Sequence, residues 1–293
     1  VSSKPSPTGS QFTFDAIGEI ESCYQEKFGI PRQSMLVPGA IGVVRLKPQD
    51  RLRTALKGIE KFSHIWLIWV FDHHGSNDWR PSIRPPRLGG AKKVGVLASR
   101  SPHRPNPIGM SVVKLTHIDL EAKRGPELHV EGVDLLDGTP ILDIKPYIPY
   151  SDCFTDATSG WASEPIEKLP VTWSKDALEQ LNQFCGPVVE GPVDQRAALG
   201  YAKLKRLIEE TLSLDPRPAS QRRRLPAHAT ESEGLAFGFA LLNFDVRWKI
   251  EPDGFLITEI APLPEARVPI RKRSSAASTA KMSPTEEIVD DSE

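Results

Sequence analysis

Apolar positions along the first half of the chain recur mostly at strand spacing. Phe12 to Ile20 shows that pattern and predicts a first strand, and Gly39 to Leu46 predicts a second. Between them, Tyr24 to Gln33 is a loop punctuated by Gly29 and Pro31. Pro48 to Ile59 changes to helical spacing: Leu52, Ala55 and Leu56 share one face, Pro48 suits the start and Gly58 the stop. Phe62 to Phe71 is a continuous apolar run with Trp66 and Trp69 in it. A strand apolar on both sides is expected at the centre of a sheet, covered on both faces. Lys93 to Ser99 and Met110 to Lys114 read as two more strand segments, and Leu115 to Leu120 extends the second. Leu128 to Leu136 follows, then the tight-turn chemistry of Asp137-Gly138-Thr139-Pro140. Ile141 to Tyr147 alternates apolar and charged until Pro146 ends it. Many short strands with one helix predict a mainly β fold, with a barrel-like N-terminal domain over residues 12–170.

The pattern then shifts. Ser174 to Phe184 predicts a helix with Ser174 as its N-cap, and Asp194 to Leu212 predicts a second. Leu235 to Leu242, Phe244 to Ile250 and Phe255 to Ile260 are strand-like, with a turn at Glu251-Pro252-Asp253-Gly254. A small α+β domain is expected over residues 171–262. The Ser- and Pro-rich stretch 1–11 and the acidic end 263–293 are expected to be disordered. No G-x-G-x-x-G phosphate loop occurs, so the fold is expected to be non-Rossmann.

Charge changes the picture locally rather than globally. The chain carries 37 basic and 38 acidic residues, a formal net charge of −1. Yet no Asp or Glu lies between Trp79 and Ile118, a window holding Arg80, Arg84, Arg87, Lys92, Lys93, Arg100, Arg104 and Lys114. A one-sign block in a balanced chain points to a phosphate or polyanion partner. At its centre lies Arg100-Ser101-Pro102-His103-Arg104-Pro105-Asn106-Pro107. Three prolines fix their own φ and extend the residues before them, so the bend is stiff and short of backbone donors.

Cys23, Cys153 and Cys185 are far apart and odd in number, which predicts free thiols and a reducing, cytoplasmic setting. The N-terminal stretch has no apolar signal core, and the run Ile65 to Phe71 is too short to span a bilayer, so no membrane association is expected. Asp72-His73-His74 ends the tryptophan-bearing run, but no second His or Cys pair accompanies it, so no metal is expected.

The motif Arg100 to Gly109, with Trp79-Arg80-Pro81, Arg84-Pro85-Pro86-Arg87-Leu88-Gly89-Gly90, Asp137-Gly138-Thr139-Pro140 and Asp143-Ile144-Lys145-Pro146-Tyr147, resembles the TrmO (YaeB, TsaA-like) family. Asp215-Pro216-Arg217-Pro218 and Asn243 to Trp248 extend the resemblance to roughly residues 14–260. It implies a β-barrel tRNA methyltransferase that uses S-adenosyl-L-methionine and works as a homodimer with the cofactor near the interface. The implied target is N6 of N6-threonylcarbamoyladenosine at position 37, beside the anticodon. The implied cofactor contacts are Pro31, Arg32, Gln33, Asp72, His73, Arg100, Ile108, Gly109, Met110, Asp137, Gly138, Thr139 and Pro140. This chain has Phe71-Asp72-His73 where better-known bacterial members have Phe-His-Gln, so the chemistry differs at two of those positions.

A guanidinium suits the cofactor carboxylate, and Arg100 or Arg32 is expected there. A carboxylate such as Asp137 suits a ribose diol, and Gly138 permits close approach to adenine. Asp72, His73 and Asp143 are candidate acceptors for the N6 proton. Arg80, Arg84, Arg87, Arg104, Lys145, Arg217 and Arg247 are candidate tRNA contacts, with Arg222, Arg223 and Arg224 extending the track. Two alternatives stay open: a non-catalytic RNA-binding module, and a metal-dependent hydrolase using Asp72, His73, His74 and His103.

Overall fold

The structure is a computed structural model and describes residues 12–73, 79–88, 92–185 and 199–263. In chain order, β1 (Gly18–Ser22) and β2 (Ile41–Leu46) precede a short helix, α1 (Asp50–Ala55), and β3 (His64–Val70). Two two-residue strands, β4 (Ser82–Ile83) and β5 (Val94–Gly95), lie before the long β6 (Ile108–Asp119). Then come β7 (Glu127–Glu131), β8 (Pro140–Pro146) and α2 (Pro149–Asp152). The remainder holds β9 (Val171–Trp173), α3 (Lys175–Phe184), α4 (Tyr201–Ser213), α5 (Ala219–Arg224), β10 (Ala236–Leu241), β11 (Phe244–Glu251) and β12 (Gly254–Pro262).

Six strands close a barrel in the order β1-β2-β7-β6-β3-β8, with every neighbouring pair antiparallel. Closure removes exposed sheet edges. The expected barrel is therefore observed, but β3 is not covered on both sides. Ile65, Leu67 and Trp69 are buried, whereas His64, Trp66, Ile68 and Val70 stay half-buried on the outer face. The tryptophan-rich sequence is apolar on both faces because the outer face is apolar too, not because a layer covers it.

Other expectations shift at their ends. Residues 12–17 form no strand, and strand pairing starts at Gly18. The expected helix Pro48–Ile59 is α1 followed by a 3-10 turn at Ile59–Lys61. Lys93 to Ser99 is not one strand: after β5 the chain turns through Val96–Ala98, closed by Ser99 Oγ donating to Val96 O at 2.7 Å. Leu128 to Leu136 stops pairing after Glu131 because Gly132, at φ 82°, turns its N–H onto Ala40 O. Of the second expected helix, residues 201–213 are helical as α4, while 194–198 lie outside the described residues. So do both expected disordered tails, 1–11 and 263–293, apart from Leu263.

The C-terminal α+β unit is a four-stranded sheet, β10-β11-β12-β9, with β9 parallel to β12 and α3 and α4 packed on it. Ser174 caps α3 as expected, its Oγ accepting from Ala177 N at 3.1 Å. Buried side chains of both units form one continuous core. Polar contacts also tie the units: Gly39 N donates to Glu210 Oε2, Ala240 N to Glu26 Oε1 and Leu242 N to Cys23 O. All three cysteines are free.

Candidate active site

Three loop segments meet at one mouth of the barrel. The proline bend is braced on both sides: Phe71 N donates to Pro107 O at 2.9 Å, and Arg80 N to His103 O at 2.9 Å. Within it, Arg104 N reaches Pro102 O, and Ser99 Oγ accepts from Ser101 N. Where N–H groups are scarce, carbonyls take over as acceptors, which holds the bend without a ladder. The loop after β1 joins it through Arg100, whose Nη1 donates to Gln33 Oε1 at 2.5 Å. Arg100 is exposed and forms no ion pair among the described residues. Its charge is therefore available to an anionic group.

The third segment is the turn before β8. Gly138, at φ 81°, makes this turn, and a side chain is disfavoured in that backbone conformation. Asp137 Oδ1 accepts from Ser22 N at 2.9 Å, Gly138 N donates to Ile20 O, and Thr139 Oγ1 donates to Leu136 O. The turn is thus pinned to β1. Pro31 is buried and Gln33 half-buried beside it, while Ile108 and Met110 are 39% and 45% exposed at the start of β6. Between them Gly109 lies flat on Trp69, where an added Cβ would come within 2.4 Å of the indole ring.

Asp72 and His73 lie at the end of β3, exposed, with carboxylate and ring nitrogen 3.7 Å apart. His74 lies outside the described residues, and among those described no three His, Cys, Asp or Glu side chains are grouped to hold a metal. Asp143 is on the outer barrel face, paired with Lys145 at 2.9 Å. Its cross-strand neighbour is Ile68, not an inward residue.

The basic residues divide sharply. Arg80 and Arg84 are exposed; Arg104 is half-buried and donates to Ser99 O. Arg87 is exposed and donates to the backbone carbonyls of Ala162 and Glu164. Arg247 pairs with Asp245 and Glu259. Arg217 faces inward: its side chain is 2% exposed, bidentate with Asp215, and its guanidinium lies over Phe237 and Trp248. It is a structural group of the C-terminal unit rather than a surface contact. Arg32 is exposed overall, yet partial desolvation by its neighbours lowers its guanidinium to about 10, and the charges of Arg222 and Arg87 lower it further while Asp215 opposes them. Burial likewise lowers Arg222, whose Nε is enclosed without an acceptor among the described residues.

Sequence reasoning missed Asp134, Ser111 and Trp69. Ser111 Oγ donates to Asp134 Oδ1 at 2.6 Å and accepts from Trp69 Nε1 at 3.1 Å. Burial pushes Asp134 up to about 6, against the opposing pull of Ser111 and Arg100. A signal existed: one acid interrupts the apolar run Val133-Asp134-Leu135-Leu136.

With this geometry in place, the likeness to known proteins decides the family. Residues 19–153 match the tRNA-methyltransferase O N-terminal domain, and residues 166–263 match the TrmO C-terminal domain. This chain belongs to the tRNA-methyltransferase O family. It is 38% identical over 254 residues to the tRNA (adenine(37)-N6)-methyltransferase of Escherichia coli, covering 86% of this chain and 99% of that one. A Pseudomonas aeruginosa protein named as a candidate S-adenosylmethionine-dependent methyltransferase is 41% identical over 246 residues, covering 84% and 96%. The crystal structure of TrmO from P. aeruginosa superposes with a TM-score of 0.66 at 35% identity, over 88% of this chain and all of that one.

Proposed function

We propose that this TrmO-family protein is an S-adenosylmethionine-dependent methyltransferase that methylates N6 of adenine 37 in tRNA. The observation that carries it is the match of both halves of the chain to the family's two domains, with the family's central motif braced at the barrel mouth. The residues present fit the cofactor. Arg100 offers a fork of donors to a carboxylate and is preset by Gln33. The pinned turn Asp137–Pro140 offers a rigid edge without a Cβ at Gly138. Ile108 and Met110 offer apolar surface on either side of Gly109.

When bound, the cofactor supplies an electrophilic methyl group. The chain's own contribution is mainly positioning, because N6 is a weak nucleophile whose lone pair is delocalised; good alignment is worth on the order of 7–11 kcal/mol. Asp72 and His73 are the better-placed proton acceptors, since Asp143 is paired with Lys145 on the outer face.

The RNA-facing surface in this reading combines Arg80, Arg84 and Arg104 with Arg32, Arg87 and Arg222. The last three come from both units, and the acid among them, Asp215, already serves Arg217. Phosphates would supply the missing negative charge. The substrate base is N6-threonylcarbamoyladenosine, and the setting is cytoplasmic, where tRNA is modified; no helix of the described residues is long and apolar enough to cross a membrane. The protein works as a homodimer in this reading. Its support is the outer face where Trp66 pairs with Val112, Ile68 with Met110 and Val70 with Ile108, an apolar surface beside the cofactor residues. Light scattering checks this: a monomeric mass at micromolar concentration rejects the dimer.

Mass spectrometry of tRNA nucleosides after incubation with protein and isotope-labelled cofactor tests the activity. Label is expected on N6 of the threonylcarbamoyl nucleoside at position 37. Absence of label, with cofactor binding intact, favours the RNA-binding module instead.

A further inference from the structure

Asp134 is enclosed by three segments of the barrel mouth but half-buried, with an edge open to solvent. Ser111 on β6 donates to it, and Trp69 on β3 holds Ser111 in turn. The loop carrying Ser34 approaches through its backbone and is fastened one residue later, where Met35 N donates to Gly132 O at 2.8 Å. The titratable or charged groups that face Asp134 are Arg100 from the proline bend and Tyr24 from the loop after β1.

The other acids of the rim have local partners. Asp137 receives Ser22 N, Asp143 pairs with Lys145, and Asp72 lies beside His73. Asp134 receives a hydroxyl and forms no ion pair among the described residues. A carboxylate in such a setting is costly when charged, and a cation beside it lowers that cost.

We infer that Asp134 is the specificity-determining charge of this site, favouring the cationic sulfonium donor over the neutral thioether left after transfer. The inference rests on the methyltransferase reading. Transfer forms the bond from the methyl carbon to N6, breaks the sulfur–carbon bond with its electron pair left on sulfur, and releases the N6 proton to a base. The positive charge near Asp134 is thereby lost, and the product is held less tightly than the donor. Arg100, by contrast, meets a carboxylate common to both molecules and does not discriminate between them.

Calorimetry on the full chain and on Asp134→Asn tests this with three ligands: S-adenosylmethionine, S-adenosylhomocysteine and sinefungin, which carries an ammonium in place of the sulfonium. Asparagine keeps the acceptor for Ser111 and removes the charge. The two cationic ligands are expected to lose about tenfold in affinity and the thioether less than about twofold. An equal loss for all three assigns Asp134 a merely structural role and overturns the inference, as does no loss. The wild-type protein gives a second measurement that needs no variant. Asp134 sits near 6, so the preference for donor over thioether is expected to fall between about pH 7 and about pH 5 as it protonates. Neither an arginine nor a tyrosine changes charge in that range, and burial moves Tyr24 still further from it; an equal fall in Asp134→Asn assigns the pH response to Asp72 and His73 at the rim and overturns the inference. A ratio unchanged with pH overturns the inference. If the wild-type protein binds none of the three ligands, the methyltransferase reading fails before the question of Asp134 arises.

Discussion

Two proline-braced arginine motifs serve opposite ends in this chain. In Asp215-Pro216-Arg217-Pro218 the arginine has an acid two residues away, and the pair closes on itself, bidentate and shielded from solvent. In Arg100-Ser101-Pro102-His103-Arg104-Pro105 no acid lies within the bend, and Arg100 stays exposed with a neutral partner, Gln33. The prolines stiffen both. What differs is the local counter-charge: an arginine with its own carboxylate becomes part of the core, and one without it is left for a ligand.

The largest expected effect breaks the first motif. Arg217→Ala leaves Asp215 enclosed without its bidentate partner, removes the donor to Leu225 O, and strips the cation from Phe237 and Trp248. A destabilisation of about 3–5 kcal/mol is expected in urea unfolding. A loss below about 1 kcal/mol would place Arg217 with the ligand-facing arginines instead.

Arg100→Ala probes the second motif. The fold is expected to survive, with unchanged thermal unfolding, while calorimetric cofactor affinity falls by about 1.5–3 kcal/mol, the worth of charged hydrogen bonds. Wild-type affinity in this variant would remove Arg100 from the site.

Asp134→Asn sharpens the contrast from the acid side. Burial raises Asp134 in the folded protein to about 6, above its ordinary 3.8. A raised carboxylate favours folding when protonated, so its cost is absent below the unfolded value and complete above about pH 6. Without ligand, the asparagine variant is therefore expected to be more stable at neutral pH, on the order of 2 kcal/mol, and to gain nothing at about pH 3. Thermal melts at the two pH values check the sign. An unchanged difference would mean that solvent already screens the charge.

Arg222→Ala carries the smallest effect. Its enclosed Nε has no acceptor among the described residues, so the unbound fold has little to lose. Anticodon stem-loop affinity is expected to fall by about 1 kcal/mol, with the salt slope reduced by roughly one. An unaltered slope would remove the seam between the units from the RNA surface.

Much of the fold was legible because local rules were obeyed. The Ser174 cap, the Asp137–Pro140 turn and the alternating β8 all follow from short-range chemistry. Strand ends were less legible: Gly132 and the Val96 turn end pairing through contacts with Ala40 and Pro81, which lie far away in sequence. Within the site, Arg100 stood out through composition. Asp134 was absorbed into an apolar run, and its value depends on Ser111, Trp69 and Arg100 arriving from elsewhere.

The order of residues by itself determined the stiffness of the bend, the absence of acids around it and the strand-rich character of the first half, since proline geometry and periodicity act over a few residues. Only the tertiary structure decided which arginines are free, which acid is enclosed and which face of β3 is open. Those are questions of charge and burial, and they are answered by groups brought together across the barrel and across the seam between the two units.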